Sequence, residues 1–316
     1  MSDLLSYLPP VRGKMRPKVP LESFTSLRVG GCAEALFEPE DSDDLIHFLR
    51  RRPLEIPVTV LGAGSNVLIR EGGIPGVVIH LGSWFQRVFQ EGATFEVGAG
   101  IPVAEFAERA AQEGISGFEF LATIPGTMGG SILANAGCFG RSIQDILVEI
   151  EAVDFCGRIH WVSAQKIDFG YRTSTIPADW IVVRSWVCGK VLPSHLVLRT
   201  MEELRATRAA TQPTEVCTAG SLFKNPEGQS AWKLIDTAGM RGARLGGAEI
   251  SPKHANFLVN RHKATAADLE TLGENVREKV HHATGVSLEW EIVRLGLPSP
   301  QFPAWEAILL QQREGE

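Results

Sequence analysis

The chain has 316 residues, a length that suggests about two domains at the usual domain size. With 44% hydrophobic and 22% charged residues, its composition is that of a globular protein, which excludes a disordered or collagen-like chain. The net charge of −6 lacks the basic footprint of a nucleic-acid-binding protein, and no apolar run approaches the ~20 residues that span a bilayer. We therefore expect no nucleic-acid and no membrane partner and, without a visible secretory signal, a cytoplasmic location.

The first part of the chain predicts an α+β domain over 20–192 with many short strands. Residues 1–19, which are rich in proline and basic residues, predict a loose arm before it. An extended segment is expected at 33–38, then a helix from about Asp41, and from Pro57 onward short apolar strands alternate with glycines. A helix over 102–113 is predicted to bury Val103, Phe106, Ala107 and Ala110.

A long helical pattern from about His195 to Ala210, ending before Pro213, predicts that 193–213 connects to a second domain over 214–296. That domain is expected to contain strands near 221–224, 255–259 and 287–294 and a helix over 231–238. A further helix should follow Thr265, because Asp268 completes a capping-box spacing, and it should end at Gly285. Residues 297–316 are expected to form an amphipathic tail.

Glycine is concentrated in one part of the chain: half of the 32 glycines fall between Gly62 and Gly140. The strand that starts at Val58 runs into Gly62-Ala-Gly-Ser-Asn66, a loop whose backbone N–H groups can point at a phosphate. A plain turn is the alternative. No helix follows this loop directly, so a classical dinucleotide-binding fold is not expected.

A second glycine loop, Ile124-Pro-Gly-Thr-Met-Gly-Gly130, lies one strand–helix unit later and again allows close backbone approach to a ligand. Together with the turn Arg28-Val-Gly-Gly31, the two loops predict a bound phosphate-bearing molecule. The five cysteines are widely spaced without a CxxC, and the eight histidines form no HExxH. We therefore expect neither a metal site nor a disulfide framework.

Several short motifs, in order from about residue 20 to 296, resemble those of the UDP-N-acetylenolpyruvoylglucosamine reductase family. They are Arg28-Val-Gly-Gly31, Leu61-Gly-Ala-Gly-Ser-Asn66, Ile124-Pro-Gly-Thr127, Asn135-Ala-Gly137, Gly170-Tyr-Arg172, Gly220-Ser-Leu-Phe-Lys-Asn-Pro226, Gly246-Gly-Ala-Glu249 and His254-Ala-Asn256. This many ordered matches make chance resemblance very improbable.

The resemblance implies an α+β fold: an FAD-binding domain of the vanillyl-alcohol-oxidase/p-cresol-methylhydroxylase type plus a C-terminal α+β substrate-binding domain. It implies FAD and, as co-substrate, NADPH, with hydride passing to the enolpyruvyl double bond of a UDP-sugar in peptidoglycan precursor synthesis. The FAD should be non-covalent, because Gly64-Ser-Asn66 contains no histidine where related oxidases attach the cofactor. No obligatory protein partner is expected. The implied cofactor-binding residues are Arg28, Gly62, Ala63, Gly64, Ser65, Asn66, Ile124, Pro125, Gly126, Thr127, Gly130, Asn135, Ala136 and Gly137.

Three residues match the family's catalytic positions. Arg172 is expected to stabilise the enolate, because its planar fork suits a carboxylate, and Ser221 is expected to donate the proton. Glu291 is expected to assist protonation. Strand alternation puts Glu289 and Glu291 on one face, so it leaves open which of them enters the site, and the family match favours Glu291.

The same resemblance implies substrate contacts, for which a purely structural role is the alternative at each position. They are Tyr171, Lys224, Asn225, Glu249, His254 and Asn256. Thr123, Cys138 and Trp290 stand where the family commonly has a glycine, an alanine, and a small residue or proline.

Two other functions fit parts of this evidence. A flavin-dependent oxidase of an alcohol or lactone in the same fold superfamily would reduce oxygen readily and would not need Ser221 together with Glu291. A non-catalytic UDP-sugar- or flavin-binding paralogue would tolerate loss of Arg172.

Overall fold

The computed structural model describes residues 4–298 of the chain. Within that range six α-helices form: α1 Ser42–Arg51, α2 Val103–Gln112, α3 Met128–Leu133, α4 Ser194–Thr211, α5 Ala231–Thr237 and α6 Ala266–Thr284. The predicted tail over 297–316 lies almost entirely outside the described residues.

A mixed four-stranded sheet opens the fold. Its strands lie in the spatial order Lys14–Pro20, Cys32–Glu38, Ile74–Ile79 and Val58–Val60, the first pair antiparallel and the others parallel. The loose arm predicted over 1–19 is therefore wrong for 14–19. This segment reads as polar because it is an edge strand whose side chains are mostly exposed, and prolines and basic residues are common at such edges.

An antiparallel five-stranded sheet carries the second layer of the first domain. Its strands are Ile159–Ser163, Leu147–Asp154, Trp180–Cys188, Thr94–Gly98 and Val88–Glu91, in spatial order. The predicted inner face of α2 is confirmed, since all four of its apolar side chains are at most 1% exposed. They pack with Phe95 and Phe118 into the largest core, so this sheet and α2 form a rigid support for the loops above them.

The C-terminal part is a four-stranded antiparallel sheet covered by α5 and α6. Its strands are Cys217–Ser221, Phe257–Asn260, Ala248–Ile250 and Arg244–Leu245, in spatial order. The capping box between Thr265 and Asp268 is present, and Gly285 ends α6 with a left-handed φ of 74°, as predicted. The first strand ends at Ser221 instead of reaching 224, because the register shifts between Thr218 and Ser221, where Gly220 has φ of 80°.

Short strand pairs link these layers. They are Val67–Ile69 with Val293–Leu295, Gly137–Cys138 with Arg141–Ser142, Phe169–Gly170 with Thr173–Ser174, and Ile115–Ser116 with Lys190–Val191. The strand Val293–Leu295 is thus shorter than the predicted 287–294. It pairs with Val67–Ile69 of the first domain. Within residues 4–298 no helix is long and apolar enough to cross a membrane, and no group of three His, Cys, Asp or Glu side chains is placed to hold a metal ion.

Candidate active site

Arg172 lies at the tip of a tight hairpin formed by Phe169–Gly170 and Thr173–Ser174. Its backbone has a φ of 58°, a left-handed conformation that costs energy for a residue with a side chain and often marks functional sites. Asn135 stabilises the hairpin, because its Nδ2 donates to the carbonyl of Gly170 at 3.0 Å. The motif Asn135-Ala-Gly137 thereby positions Arg172.

Glu291 accepts a hydrogen bond from the Arg172 side chain, although the two residues are 119 positions apart in the chain. The Nε of Arg172 donates to Oε1 of Glu291 at 2.6 Å, and only 13% of the glutamate side chain is exposed. Burial raises the pKa of Glu291 above its ordinary value, even though Arg172 and Lys224 oppose that shift. A protonated carboxyl next to a fixed guanidinium is therefore available at higher pH than usual.

Glu289, two residues before Glu291, has a different partner. It pairs with the Nζ of Lys224 at 2.5 Å, and 71% of its side chain is exposed. Of the two glutamates that alternation leaves open, the structure thus brings Glu291 to Arg172 and leaves Glu289 at the surface.

Ser221 ends its strand immediately before the segment that contacts Glu291. The backbone N–H of Glu291 donates to the carbonyl of Leu222 at 2.9 Å, so the two chain segments run side by side. Among the described residues the hydroxyl of Ser221 forms no hydrogen bond, and the side chain is half-buried. It is consequently free to act on a bound molecule.

A buried amide holds this serine segment in place. Asn256 is 3% exposed; its Oδ1 accepts from the backbone N–H of Phe223 at 3.0 Å and its Nδ2 donates to the Phe223 carbonyl at 2.8 Å. Asn256 therefore supports the backbone two residues beyond Ser221. The expected contact of its side chain with substrate stays a prediction.

The first glycine loop reaches the same site. The Nδ2 of Asn66 donates to the carbonyl of Glu291 at 3.0 Å, and the Oγ of Ser65 donates to the carbonyl of Pro125 at 3.0 Å. The two glycine loops predicted from the sequence are thus joined to each other and to Glu291. Thr127 then caps α3 by accepting from the N–H of Gly130.

The loops have the geometry of an anion cradle. Among residues 4–298, none of the backbone N–H groups of Gly62–Asn66 donates a hydrogen bond. Gly64 has φ of 60°, and a Cβ there would lie 1.9 Å from the Phe24 carbonyl, whereas Gly126 has φ of 139°. Side chains would therefore strain or block these positions, and the free donors fit the diphosphate of a dinucleotide such as FAD.

A cavity of about 260 Å³ lies against the first glycine loop. Arg28 and His80 line it; the other lining residues are Ser23, Phe24, Thr25, Ser26, Gly62 and Ala63. His80 has a buried Nδ1 without a hydrogen-bond partner in the described part of the chain, 3.8 Å from a carboxylate oxygen of Glu38. Burial lowers the pKa of His80, so a neutral imidazole faces the cavity. The sequence analysis did not single out His80, because one histidine after a strand does not indicate that it lines a cavity.

Tyr171 and Asn225 are exposed, and they form a group with the half-buried Lys224 beside Arg172. The guanidinium of Arg172 lies 5.2 Å from the centre of the Tyr171 ring, and the Tyr171 hydroxyl accepts from the backbone N–H of Asn225 at 3.4 Å. The side chain of Asn225 accepts from the N–H of Ala231 at the start of α5. These three predicted substrate residues are brought together.

Glu249 and His254 are placed differently from the substrate contacts expected of them. Glu249 is 3% exposed, and its two oxygens accept from Arg244 and Arg261, each at 2.8 Å. His254 accepts from the N–H of Asn256 through Nδ1, and its ring packs edge-on against Phe257. A buried carboxylate needs such pairing, so Glu249 has an internal role, and the expected contact of either residue with substrate stays a prediction.

Two family models match the chain. An FAD binding domain matches residues 33–163, and the C-terminal domain of UDP-N-acetylenolpyruvoylglucosamine reductase matches residues 212–295. The predicted combination of an FAD-binding domain with a C-terminal α+β domain is confirmed by these matches.

Close relatives extend the likeness over nearly the whole chain. A UDP-N-acetylenolpyruvoylglucosamine reductase of Parvibaculum lavamentivorans is 47% identical over 93% of this chain and 95% of its own. One of Paramagnetospirillum magneticum is 45% identical over 94% and 96%, respectively. The crystal structure of UDP-N-acetylenolpyruvylglucosamine reductase from Thermus caldophilus superposes with a TM-score of 0.79 at 36% identity, covering 90% of this chain and all of that one. The chain belongs to the UDP-N-acetylenolpyruvoylglucosamine reductase family.

Proposed function

We propose that this protein reduces UDP-N-acetylglucosamine enolpyruvate to UDP-N-acetylmuramate at the expense of NADPH. A bound FAD would supply the hydride transfer from NADPH to the enolpyruvyl double bond. One observation carries the proposal. The Arg172–Glu291 ion pair lies beside the chain segment that follows Ser221 and beside the glycine loop that ends at Asn66. A cation, an acid and a dinucleotide loop are what this reaction requires together.

Arg172 is proposed to bind the substrate carboxylate and the negative charge that develops on it. Within the described residues its Nε is taken by Glu291, so its two terminal nitrogens remain for a ligand. The strained turn and the ion pair hold the fork in one orientation before substrate arrives. Fixed donors of this kind stabilise a developing enolate more than mobile water can.

Ser221 is proposed to donate the proton to the adjacent carbon, with Glu291 assisting. A serine hydroxyl is a weak acid, so it needs a neighbour that can return the proton. The raised pKa of Glu291 supports that part, because burial keeps the carboxyl protonated at higher pH.

The binding residues are proposed as two sets. FAD would be held non-covalently by the residues Arg28, Gly62, Ala63, Gly64, Ser65, Asn66, Ile124, Pro125, Gly126, Thr127, Gly130, Ala136 and Gly137 within 20–192. The sugar nucleotide would meet Tyr171, Lys224 and Asn225 between that domain and 214–296, with the helix over 193–213 as connection. Tyr171 and Asn225 are exposed and Lys224 is half-buried, so a ligand can reach all three, which supports this assignment.

The proposed setting follows from the substrates. UDP-activated sugars and NADPH are small soluble molecules, so we propose a cytoplasmic bacterial enzyme of peptidoglycan precursor synthesis that needs no obligatory protein partner. Through that product it would serve cell-wall biogenesis, cell shape and cell division.

The test is an anaerobic absorbance experiment on the FAD-loaded protein. NADPH should bleach the flavin, and UDP-N-acetylglucosamine enolpyruvate should restore its colour. Colour that returns only when air is admitted would support the oxidase alternative, and a protein that NADPH cannot bleach would support the non-catalytic one.

Ser221→Ala separates the two half-reactions. Bleaching by NADPH should be nearly unchanged, whereas reoxidation by the enolpyruvyl sugar should slow by roughly 10²–10⁴-fold, the usual value of general acid help. Ser287→Ala, which changes an exposed serine of the same C-terminal part, is the control. Equal slowing of both half-reactions would contradict the role of Ser221.

A further inference from the structure

Arg208, near the end of α4, has no counterion among the described residues. Within residues 4–298 its side chain makes one hydrogen bond, a long one of 3.4 Å from an Nη to the Oγ1 of Thr123. The guanidinium forms no salt bridge in that range. The side chain is half-buried, and burial lowers the pKa of its guanidinium. A partly desolvated cation with one neutral partner is unfavourable unless an anion joins it.

Two other partly or fully buried arginines of this chain have several internal partners, although within 4–298 the Nε of Arg52 is left without one. Arg184 pairs with the carboxylates of Glu96 and Glu151. Arg52, which is 7% exposed, donates four hydrogen bonds to backbone carbonyls. Neither kind of partner is provided for Arg208, so its free donors distinguish it from these structural arginines.

The position of Arg208 is next to the proposed active site. Thr123 immediately precedes the second glycine loop, and its Oγ1 lies 3.4 Å from the Sγ of Cys138. Burial lowers the pKa of Arg208, and so does the charge of Arg172, whereas Cys138 raises it. Because the carboxylate of Glu291 is already paired with Arg172, the region around Cys138 keeps an uncompensated positive charge.

We propose that Arg208 binds a phosphate group of a substrate. The proposal rests on the proposed function for the identity of that substrate. Both NADPH and the UDP-sugar carry phosphates and must approach the same flavin in turn, so either can be the source. A guanidinium binds phosphate through two parallel N–H donors, which suits the unused fork of Arg208.

Arg208→Gln tests this assignment, with Arg199→Gln as the control. Glutamine keeps helix propensity and a donor for Thr123 but removes the charge. Arg199 is on the same helix, pairs with Glu203 and is 75% exposed. Dissociation constants of inorganic pyrophosphate and UDP are measured by calorimetry on the FAD-loaded protein, and the half-saturation for NADPH by anaerobic flavin reduction.

Arg208→Gln should weaken pyrophosphate by about 10- to 100-fold, the range of a charge-assisted hydrogen bond, with melting temperature as in the control. A parallel loss for UDP identifies the sugar nucleotide as the source, and a parallel loss for NADPH identifies the dinucleotide. Values equal to those of Arg199→Gln for all three ligands would overturn the proposal.

Arg208→Lys and a salt titration keep the proposal testable if the glutamine variant does not fold. Lysine, which keeps the charge but not the two parallel donors, should weaken pyrophosphate binding less than glutamine does, and wild-type binding should weaken with ionic strength, as for any charged contact. Pyrophosphate binding that ignores salt would refute the assignment. Since this binding needs no turnover, wild-type protein that binds pyrophosphate without oxidising NADPH would refute only the proposed function.

Discussion

Asn256→Ala is expected to damage one half-reaction selectively, because this side chain holds the backbone next to Ser221. The amide accepts from the N–H of Phe223 and donates to its carbonyl, and Phe223 is 0% exposed. Cross-strand hydrogen bonds do not use these two groups, since the neighbouring bonds join Lys224 to Glu289 and Glu291 to Leu222. The substitution therefore leaves one buried donor and one buried acceptor without a partner.

The cost follows from those two groups. Each buried polar group left without a partner costs about 1–3 kcal/mol, so the free energy of unfolding should fall by roughly 2–6 kcal/mol. The segment should also relax toward new partners. A displacement of about 1 Å at a reacting group can slow a reaction ~100-fold, so proton donation by Ser221 should slow by about 10- to 100-fold.

Asn260→Ala is a matched control on the same sheet. Asn260 also makes one donated and one accepted backbone bond, to the carbonyl of Leu27 and from the N–H of Ala264, each at 2.8 Å. Urea unfolding followed by tryptophan fluorescence measures stability in both variants, and anaerobic stopped-flow absorbance measures each half-reaction.

The expected pattern is a comparable loss of stability in both variants, unchanged flavin reduction by NADPH in both, and slow reoxidation in Asn256→Ala alone. If Asn260→Ala slows reoxidation equally, the effect is general loosening of the domain. If neither variant slows it, the amide does not position Ser221.

Two further outcomes are expected. Because burial raises the pKa of Glu291, reoxidation by the enolpyruvyl sugar should slow as pH rises through that raised pKa, once the carboxyl loses its proton. Glu291→Gln should remove this limb of the pH profile, and a limb left in place would assign it to another group. Gly273→Ala in α6 should destabilise the protein by about 1–2 kcal/mol, because the added Cβ would lie 2.3 Å from the Trp290 ring and overpacking outweighs the better helix propensity of alanine. Thermal unfolding checks this, and a higher melting temperature would show that the Trp290 ring, though packed against Phe223 and bonded to Glu274, gives way freely.

Features encoded within a few neighbouring residues were predictable. The capping box at Thr265, the glycine that ends α6 and the buried face of α2 depend on local dihedrals and on helical spacing. The two glycine loops were predictable for the same reason, since positive φ and close backbone approach require glycine wherever the loop folds. Errors arose where exposure was misread, as for the edge strand Lys14–Pro20, whose polar sequence resembles that of an arm.

Pairings between distant residues were not readable from the chain. Alternation allowed either Glu289 or Glu291 to enter the site, and the fold brings Glu291 to a hairpin 119 positions earlier. The use of Asn256 as a backbone support and the pairing of Glu249 with two arginines likewise depend on which strands become neighbours. Residue type and spacing state what chemistry a side chain can perform, whereas packing decides which partner it meets, how dry its surroundings are and hence where its proton resides.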